Sequence, residues 1–384
     1  MEVLPSNWTA SPPGYIKCSE PMTLSELIYF AGYSLKKTYF VRRAKQLPFR
    51  TISIGNITVG GTGKTPAAIA FAEGFRNSGF TPVILTRGYK GTAKGPCFVR
   101  TSPGNAEGPF VSTVDEAGDE PIIMAERLGD IAIVKCADRY EGGQFALRHL
   151  CASDSRPFIF ILDDGFQHWK LHRDTDIVLV DGLDPFGNGK LLPRGRLREP
   201  LEALKRADSI IITRVNNREL SHKLKGISPD VPVFYAVFSA DRLRTPEGVT
   251  LPTEYLRDKK VLAFCGIGNP EGFRQTMMPL CRELAGFTSF RDHYVYRQKD
   301  LAKLASFSGR LGCDLLVTTE KDMVKLKGFE MPESLVCLEI SFRLKDTVFD
   351  TLLLHQTETV ETLSRRRLTP DSRCIAHQRR SVVP

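Results

Sequence analysis

The chain has no C-x-x-C pair, and its nine cysteines are scattered from Cys18 to Cys374 at spacings that match no metal framework. An odd, scattered set of this kind excludes a disulfide scaffold and points to reduced thiols in a reducing compartment. No apolar run approaches the ~18 residues that a membrane-crossing helix needs, which excludes a spanning protein. The opening stretch, MEVLPSNWTASPPGYIKCSE, shows neither a signal-peptide pattern nor the arginine richness of a transit peptide. The expectation is a protein made and kept in the cytoplasm. No internal repeat or low-complexity tract is visible either. What is present is a chain of 384 residues, 42% hydrophobic and 25% charged, enough for an ample core and, by length, about two domains. Disorder and fibrous classes are thereby excluded. Lysine and arginine number 53 against 44 acids, a formal charge of +9. That excess favours polyanionic partners: nucleic acid, anionic lipid or phosphorylated substrates.

The chain divides by pattern. Residues 1–22 are rich in proline and read as an irregular arm. Residues 23–45 read as a helix that Thr23 caps, with Leu24, Leu27, Ile28, Ala31 and Leu35 near helical spacing and Lys36, Lys37, Arg42, Arg43 and Lys45 crowded in the second half. Two readings stand for this helix. It packs on its own domain, or it lies on an anionic membrane with Tyr29, Phe30, Tyr39 and Phe40 at headgroup depth. From residue 46 to 240, short apolar runs (TISIGNI, TPVILT, AIVKC, FIFILDD, DIVLVDG, SIIITR) alternate with helical stretches. This is the pattern of a mostly parallel α/β sheet with flanking helices, of the P-loop NTPase type. Residues 241–258 read as a linker, 259–360 as a second, smaller α/β domain, and 361–384 as a basic mobile tail.

The strongest local signal is IGNITVGGTGKTP, a β-rich run ending in a glycine-rich loop that leads through Lys64 and Thr65 into the helix opened by Pro66. Thr58, Val59, Gly60, Gly61, Thr62, Gly63, Lys64 and Thr65 are read as the nucleotide-phosphate cradle. The glycines let successive N–H groups face phosphate oxygens, Lys64 neutralises the β- and γ-phosphates, and the Thr65 hydroxyl ligates Mg²⁺. The strict pattern has glycine where this chain has Thr58. FIFILDDGFQH then places Asp163 and Asp164 at the end of a buried strand, where a parallel sheet brings carboxylates beside the phosphate loop to hold Mg²⁺. AGDEP offers Asp119 and Glu120 ahead of a helix, a position that more often serves as an N-cap. His168 and His293 are ambiguous, since a lone histidine is more often structural than catalytic.

Taken together, these motifs resemble the tetraacyldisaccharide 4'-kinase family of lipid A synthesis. The resemblance runs in order through GNITVGGTGKTP, TRGYKG, GDEP, DDGFQH, GNGKLLP, LREP, FCGIGNP, RDHYVY and TTEKD. It implies an ATP- and Mg²⁺-dependent kinase acting on the 4'-hydroxyl of a tetraacyl disaccharide 1-phosphate, peripheral to the cytoplasmic face of a bacterial inner membrane. It favours the interfacial reading of the 23–45 helix. It also implies Asp119 as general base with His293 as the partner that orients it, and Asp163, Asp164 and Glu120 around the metal. Arg87, Tyr89, Arg139, Gln167, His168, Arg198 and Glu199 fall where the family handles substrate, and the smaller domain would close over the nucleotide. Arg194 and Arg196 depart from the family, whose members usually have small or apolar residues there, and are expected to strengthen contacts to anionic lipid. The alternatives are a P-loop kinase or NTPase with a soluble substrate, and a nucleotide-dependent nucleic-acid binder. The second lacks any RNA- or DNA-reading motif, so no nucleic acid and no obligate protein partner is expected.

Overall fold

The computed structural model describes residues 21–99, 109–150, 156–215 and 217–345. Most of the expected arm and all of the expected basic tail lie outside them. In chain order the first elements are α1 (Leu24–Val41), β1 (Thr51–Gly55), α2 (Lys64–Asn77), β2 (Thr81–Thr86), β3 (Cys97–Val99), β4 (Phe110–Val111), α3 (Val114–Ala117), α4 (Asp119–Leu128), β5 (Ala132–Lys135), α5 (Arg139–His149), β6 (Phe158–Asp163), β7 (Thr175–Asp181), β8 (Ser209–Thr213) and α6 (Arg218–Ile227). There follow β9 (Val233–Arg244), β10 (Thr250–Pro252), β11 (Lys260–Cys265), α7 (Pro270–Met277), β12 (Glu283–Ser289), α8 (Gln298–Leu311), β13 (Leu315–Thr319), α9 (Glu320–Met323) and β14 (Leu335–Leu344).

Strands β8, β7, β1, β6, β2 and β5 lie side by side and parallel. Central strands covered on both faces are mostly apolar, and β1 and β8 are buried at every residue, their few polar side chains being small threonines and serines. Strands β12, β11, β13 and β14 form a second parallel group. The two groups are one continuous sheet, because β9 pairs parallel with β8 at its start and antiparallel with β14 along its length. The residues expected as a linker, 241–258, carry the end of β9, the strand β10 and a 3-10 turn at Thr253–Leu256.

Helix α2 packs Ala67, Phe71 and Phe75 into the main core with Ile52, Ile54 and Ile161. Truncating a fully buried ring such as Phe71 to alanine costs about 3–5 kcal/mol. Helix α1 begins with a capping box: Thr23 accepts from the Glu26 N–H, and the Glu26 carboxylate accepts from the Thr23 N–H at 3.0 Å. Its orientation corrects the expectation. Tyr29 and Phe30 face the protein, where the Tyr29 hydroxyl donates to the Arg198 carbonyl at 2.9 Å and Tyr33 donates to Glu199 at 2.6 Å. Half-buried phenols need such acceptors, which lipid cannot offer. The apolar stripe faces outward instead, with Leu24, Leu27, Ile28 and Leu35 exposed by 49–74%.

Candidate active site

The loop Asn56–Gly63 joins β1 to α2. Gly63 stands at the N-terminus of α2 in the left-handed region (φ 87°) without a side-chain cap, so the first helical N–H groups are open to an anion. A Cβ at Gly63 would sit 2.0 Å from the Phe238 ring, so both backbone angle and space demand glycine. Thr58, the departure from the strict pattern, forms an antiparallel bridge to Leu197 and accepts from the Asn56 side chain at 3.3 Å. That extended geometry suits a β-branched residue. Lys64 Nζ lies 3.3 Å from Asn56 Oδ1 and 3.6 Å from Asp164 Oδ1, and Thr65 follows half-buried on the helix.

Asp163 ends β6, next to β1 in the sheet. Its Oδ2 accepts from Thr86 at 3.0 Å, while Oδ1 is buried with no hydrogen-bond partner. Burial, with the charges of Glu120 and Asp164 close by, pushes its carboxyl up to about 7. An orphaned, buried carboxylate oxygen beside other acids is what a cation site needs. Among the described residues no group of three or more His, Cys, Asp or Glu forms a cage by itself. Mg²⁺ needs none, since it binds through one or two carboxylates with phosphate and water completing its shell. The buried, unpartnered Oδ1 of Asp163 therefore fits one ligand position of such an ion. Asp164 differs from its neighbour: burial raises its carboxyl, but Lys64 and Arg198 together outweigh that and hold it below the usual range. Arg198 Nη1 reaches both its oxygens, at 3.0 and 2.9 Å.

Asp119 opens α4 after Gly118 and is 6% exposed. It does not cap the helix through its side chain in the ordinary way; it faces His293, whose Nδ1 lies 3.1 Å from Asp119 Oδ2. His293 adopts a left-handed backbone (φ 55°), which turns its ring across from the second parallel group. Lys321 Nζ lies 3.3 Å from His293 Nε2, 3.8 Å from Asp119 and 3.6 Å from Glu120. An ammonium donating to Nε2 fits the tautomer in which Nδ1–H donates to Asp119. Burial raises the Asp119 carboxyl, and the His293 hydrogen bond and Lys321 charge more than offset it, so Asp119 stays ionised.

The expected substrate residues separate into two groups. Arg87 and Tyr89 are both exposed, with the Tyr89 ring edge-on to His293 at 5.7 Å. Arg139 is buried at the start of α5 with its Nε unpaired, and burial lowers its pKa against the charges of Asp163 and Asp164. His168 is pushed down to about 3 by burial, with Arg139 nearby, and is neutral. Gln167 and Glu199 are structural knots. The Gln167 amide donates to the Asn56 carbonyl at 2.8 Å and to Glu199 at 2.7 Å. Glu199 is fully buried, its oxygens taken by Arg206, Tyr33 and Gln167. Its carboxylate is filled and reaches the cleft only through its neighbours.

Arg196, about half exposed, turns its guanidinium to the protein, which corrects the lipid expectation for that group. Its guanidinium lies on the phosphate loop, donating to the Val59 carbonyl from Nε at 3.1 Å and Nη2 at 3.0 Å. Three residues escaped the sequence reading. Lys321 lies in TTEKD, and Asp181 and Arg214 end β7 and its successor; charged residues at the C-terminal ends of parallel strands are the signal that pointed to them.

Comparison with known proteins bears on the same residues. The family model described as tetraacyldisaccharide-1-P 4'-kinase matches residues 21–358. A tetraacyldisaccharide 4'-kinase of Halothermothrix orenii is 37% identical over 321 residues, 78% of this chain and 81% of that protein. One of Syntrophus aciditrophicus is 36% identical over 354 residues, 87% of this chain and 92% of that protein. The crystal structure of the "apo" form of LpxK from Aquifex aeolicus in complex with ATP superposes with a TM-score of 0.66 at 32% identity, covering 89% of this chain and 96% of that one. With a phosphate loop, a metal-ready acid pair and a histidine-held aspartate in one cleft, and this likeness along nearly the whole described length, the chain belongs to the tetraacyldisaccharide-1-P 4'-kinase family.

Proposed function

We infer that the protein transfers the γ-phosphate of ATP to the 4'-hydroxyl of a tetraacyldisaccharide 1-phosphate, giving the 1,4'-bisphosphate. The observation that carries this reading is the ionised Asp119, held by His293 and Lys321 next to Glu120, in the cleft of the Lys64 loop. A sugar hydroxyl becomes a good nucleophile when a carboxylate accepts its proton during in-line transfer. Asp119 takes that proton on an oxygen that His293 orients, while Lys64 neutralises the terminal phosphates. Asp163, Asp164, Glu120 and Thr65 would hold Mg²⁺, which would supply charge neutralisation at the phosphates. Arg87, Tyr89 and Arg139 line the acceptor side. The second parallel group brings His293 and Lys321, so its closure on the first group completes the base and shuts out water.

The protein is read as peripheral to the cytoplasmic face of a bacterial inner membrane. Among the described residues no helix is long and apolar enough to cross a membrane. The outward stripe of α1 supports an interfacial role, since among the described residues Leu24, Leu27, Ile28 and Leu35 are 49–74% exposed and Arg42 and Arg43 follow them. Fully burying one such side chain is worth ~1.5–3 kcal/mol. Replacing Leu27 and Leu35 by glutamate is expected to abolish sedimentation with anionic vesicles while leaving nucleotide binding intact. The activity is tested by transfer of labelled γ-phosphate from Mg-ATP to the tetraacyl acceptor in detergent micelles. Transfer by the native chain and its loss in Lys64→Ala support the kinase; ATP hydrolysis with no labelled lipid would replace the acceptor by a soluble one.

A further inference from the structure

The phosphate loop is held from one side by two arginine–aspartate pairs whose aspartates come from one short segment. β7 ends in Asp181, and the chain continues Gly182, Leu183, Asp184. Arg214, just past β8 in a left-handed backbone (φ 73°), donates from Nε to Asp181 at 2.8 Å and from Nη2 to the Gly61 carbonyl at 2.8 Å. Arg196 pairs with Asp184 through Nη1 and grips the Val59 carbonyl with its other two nitrogens. Asp184 is itself held by the Gly187 N–H at 3.0 Å, and Asp181 by the Leu183 N–H at 3.0 Å. The fit is close: a Cβ on Gly60 would lie 2.2 Å from Arg196 Nη2.

We propose that Arg196 and Arg214, anchored on Asp184 and Asp181, are positioning residues that pre-organise the phosphate loop for nucleotide. A peptide plane is rigid and trans, so fixing the carbonyls of Val59 and Gly61 fixes the direction of the Gly60 and Thr62 N–H groups. Three glycines make this loop expensive to order, because glycine loses more conformational freedom than any other residue. The bracket takes that loss at folding rather than at nucleotide binding, which raises affinity without a new contact to the ligand. The Thr62 N–H closes on the Gly60 carbonyl at 3.2 Å, a contact it exchanges for a phosphate oxygen when nucleotide binds between the two clamps. The metal-ready acids stand on the opposite, β6 side, which leaves the bracket free of their chemistry.

The inference rests on the phosphate-loop reading but not on the lipid acceptor, so it is tested without lipid. Binding of Mg-ATP is measured by displacement of a fluorescent ATP analogue, with kcat and KM for ATP measured separately. Arg196→Gln and Arg214→Gln are each expected to raise the Kd and KM for ATP about tenfold, with kcat at saturating ATP falling less than about threefold. Arg196 and Asp184 are about half exposed, so Asp184→Asn leaves the fold intact while releasing the anchor; it is expected to weaken ATP about threefold and to add little to Arg196→Gln. Unchanged Kd and KM across these variants overturn the proposal. So does a fall in kcat with unchanged Kd, which makes the arginines contacts of the transferring phosphate. Loss of vesicle binding with normal ATP affinity in Arg196→Gln overturns it too, and returns that arginine to the lipid. If the native chain binds no ATP, the kinase reading falls and the bracket with it.

Discussion

Two pairs of adjacent acids lie near the phosphate loop, Asp163–Asp164 at the end of β6 and Asp119–Glu120 at the start of α4, and their surroundings differ. In the first, one member is buried with an unpartnered oxygen and pushed up to about 7, while the other is held down by Lys64 and Arg198. In the second, Asp119 is as buried as a core residue, yet the His293 hydrogen bond and Lys321 keep it ionised. Residue type does not separate Asp163 from Asp119; the cations each one meets do. A buried carboxylate with an unpartnered oxygen, as in Asp163, suits a cation, and one compensated by a histidine and a lysine, as in Asp119, suits a base.

The largest expected effect tests the second pair. Asp119→Ala should lower kcat by ~10²–10⁴ while Mg-ATP still binds, because general-base catalysis is lost and the phosphate loop is not. Equal losses in kcat and in nucleotide affinity would erase the distinction between the pairs. Next, Asp163→Asn should raise the Mg²⁺ concentration for half-maximal activity about 10- to 100-fold with a smaller effect on ATP affinity at saturating Mg²⁺. A normal Mg²⁺ titration in that variant would move the ion away from β6. Smaller again, Lys321→Met should displace the acid limb of the kcat/KM profile to higher pH. Lys321 lowers the Asp119 carboxyl, so its removal lets that pKa rise and the base protonate earlier as pH falls; an unmoved limb would detach Lys321 from the base.

The smallest effect concerns stability. Glu320, next to Lys321, is pushed from 4.5 up to about 7 by burial, against the pull of Arg127. A raised folded-state pKa means the folded protein binds the proton more tightly. Its contribution is complete below about pH 4.5 and is lost as pH rises through about 7. Glu320→Gln should therefore flatten the decline of thermal midpoint between pH 5 and 7.5, measured as a difference from the native protein. An unchanged slope would assign that region's pH response to other groups.

The phosphate loop was legible because glycine, lysine and a following helix form a local pattern, and β6 because a buried parallel strand is apolar until it ends in acids. The mostly parallel sheet followed from the same alternation, while the order of its strands came only from the tertiary structure. Tyr29 and Phe30 were misassigned because helical spacing defines a stripe but not which side meets the protein. That was decided by Arg198, whose carbonyl accepts from Tyr29 across 169 residues, and by Glu199, which accepts from Tyr33 across 166. Arg196 was read as a lipid contact because a surface charge near a basic helix has no local mark of direction. Only Val59 and Asp184, brought together by the sheet, give it one.

By itself the sequence determined the local geometries: where strands are buried on both faces, where a loop can approach an anion, where Thr23 and Glu26 start a helix. These depend on neighbours within a few residues, and so on backbone sterics and periodicity. The tertiary structure decided the charge state and direction of each functional group. His293 meets Asp119 across 174 residues, and Arg127 of α4 meets Glu320 across 193. Electrostatic interaction and burial depend on distance in space, which only the continuous sheet of two parallel groups sets.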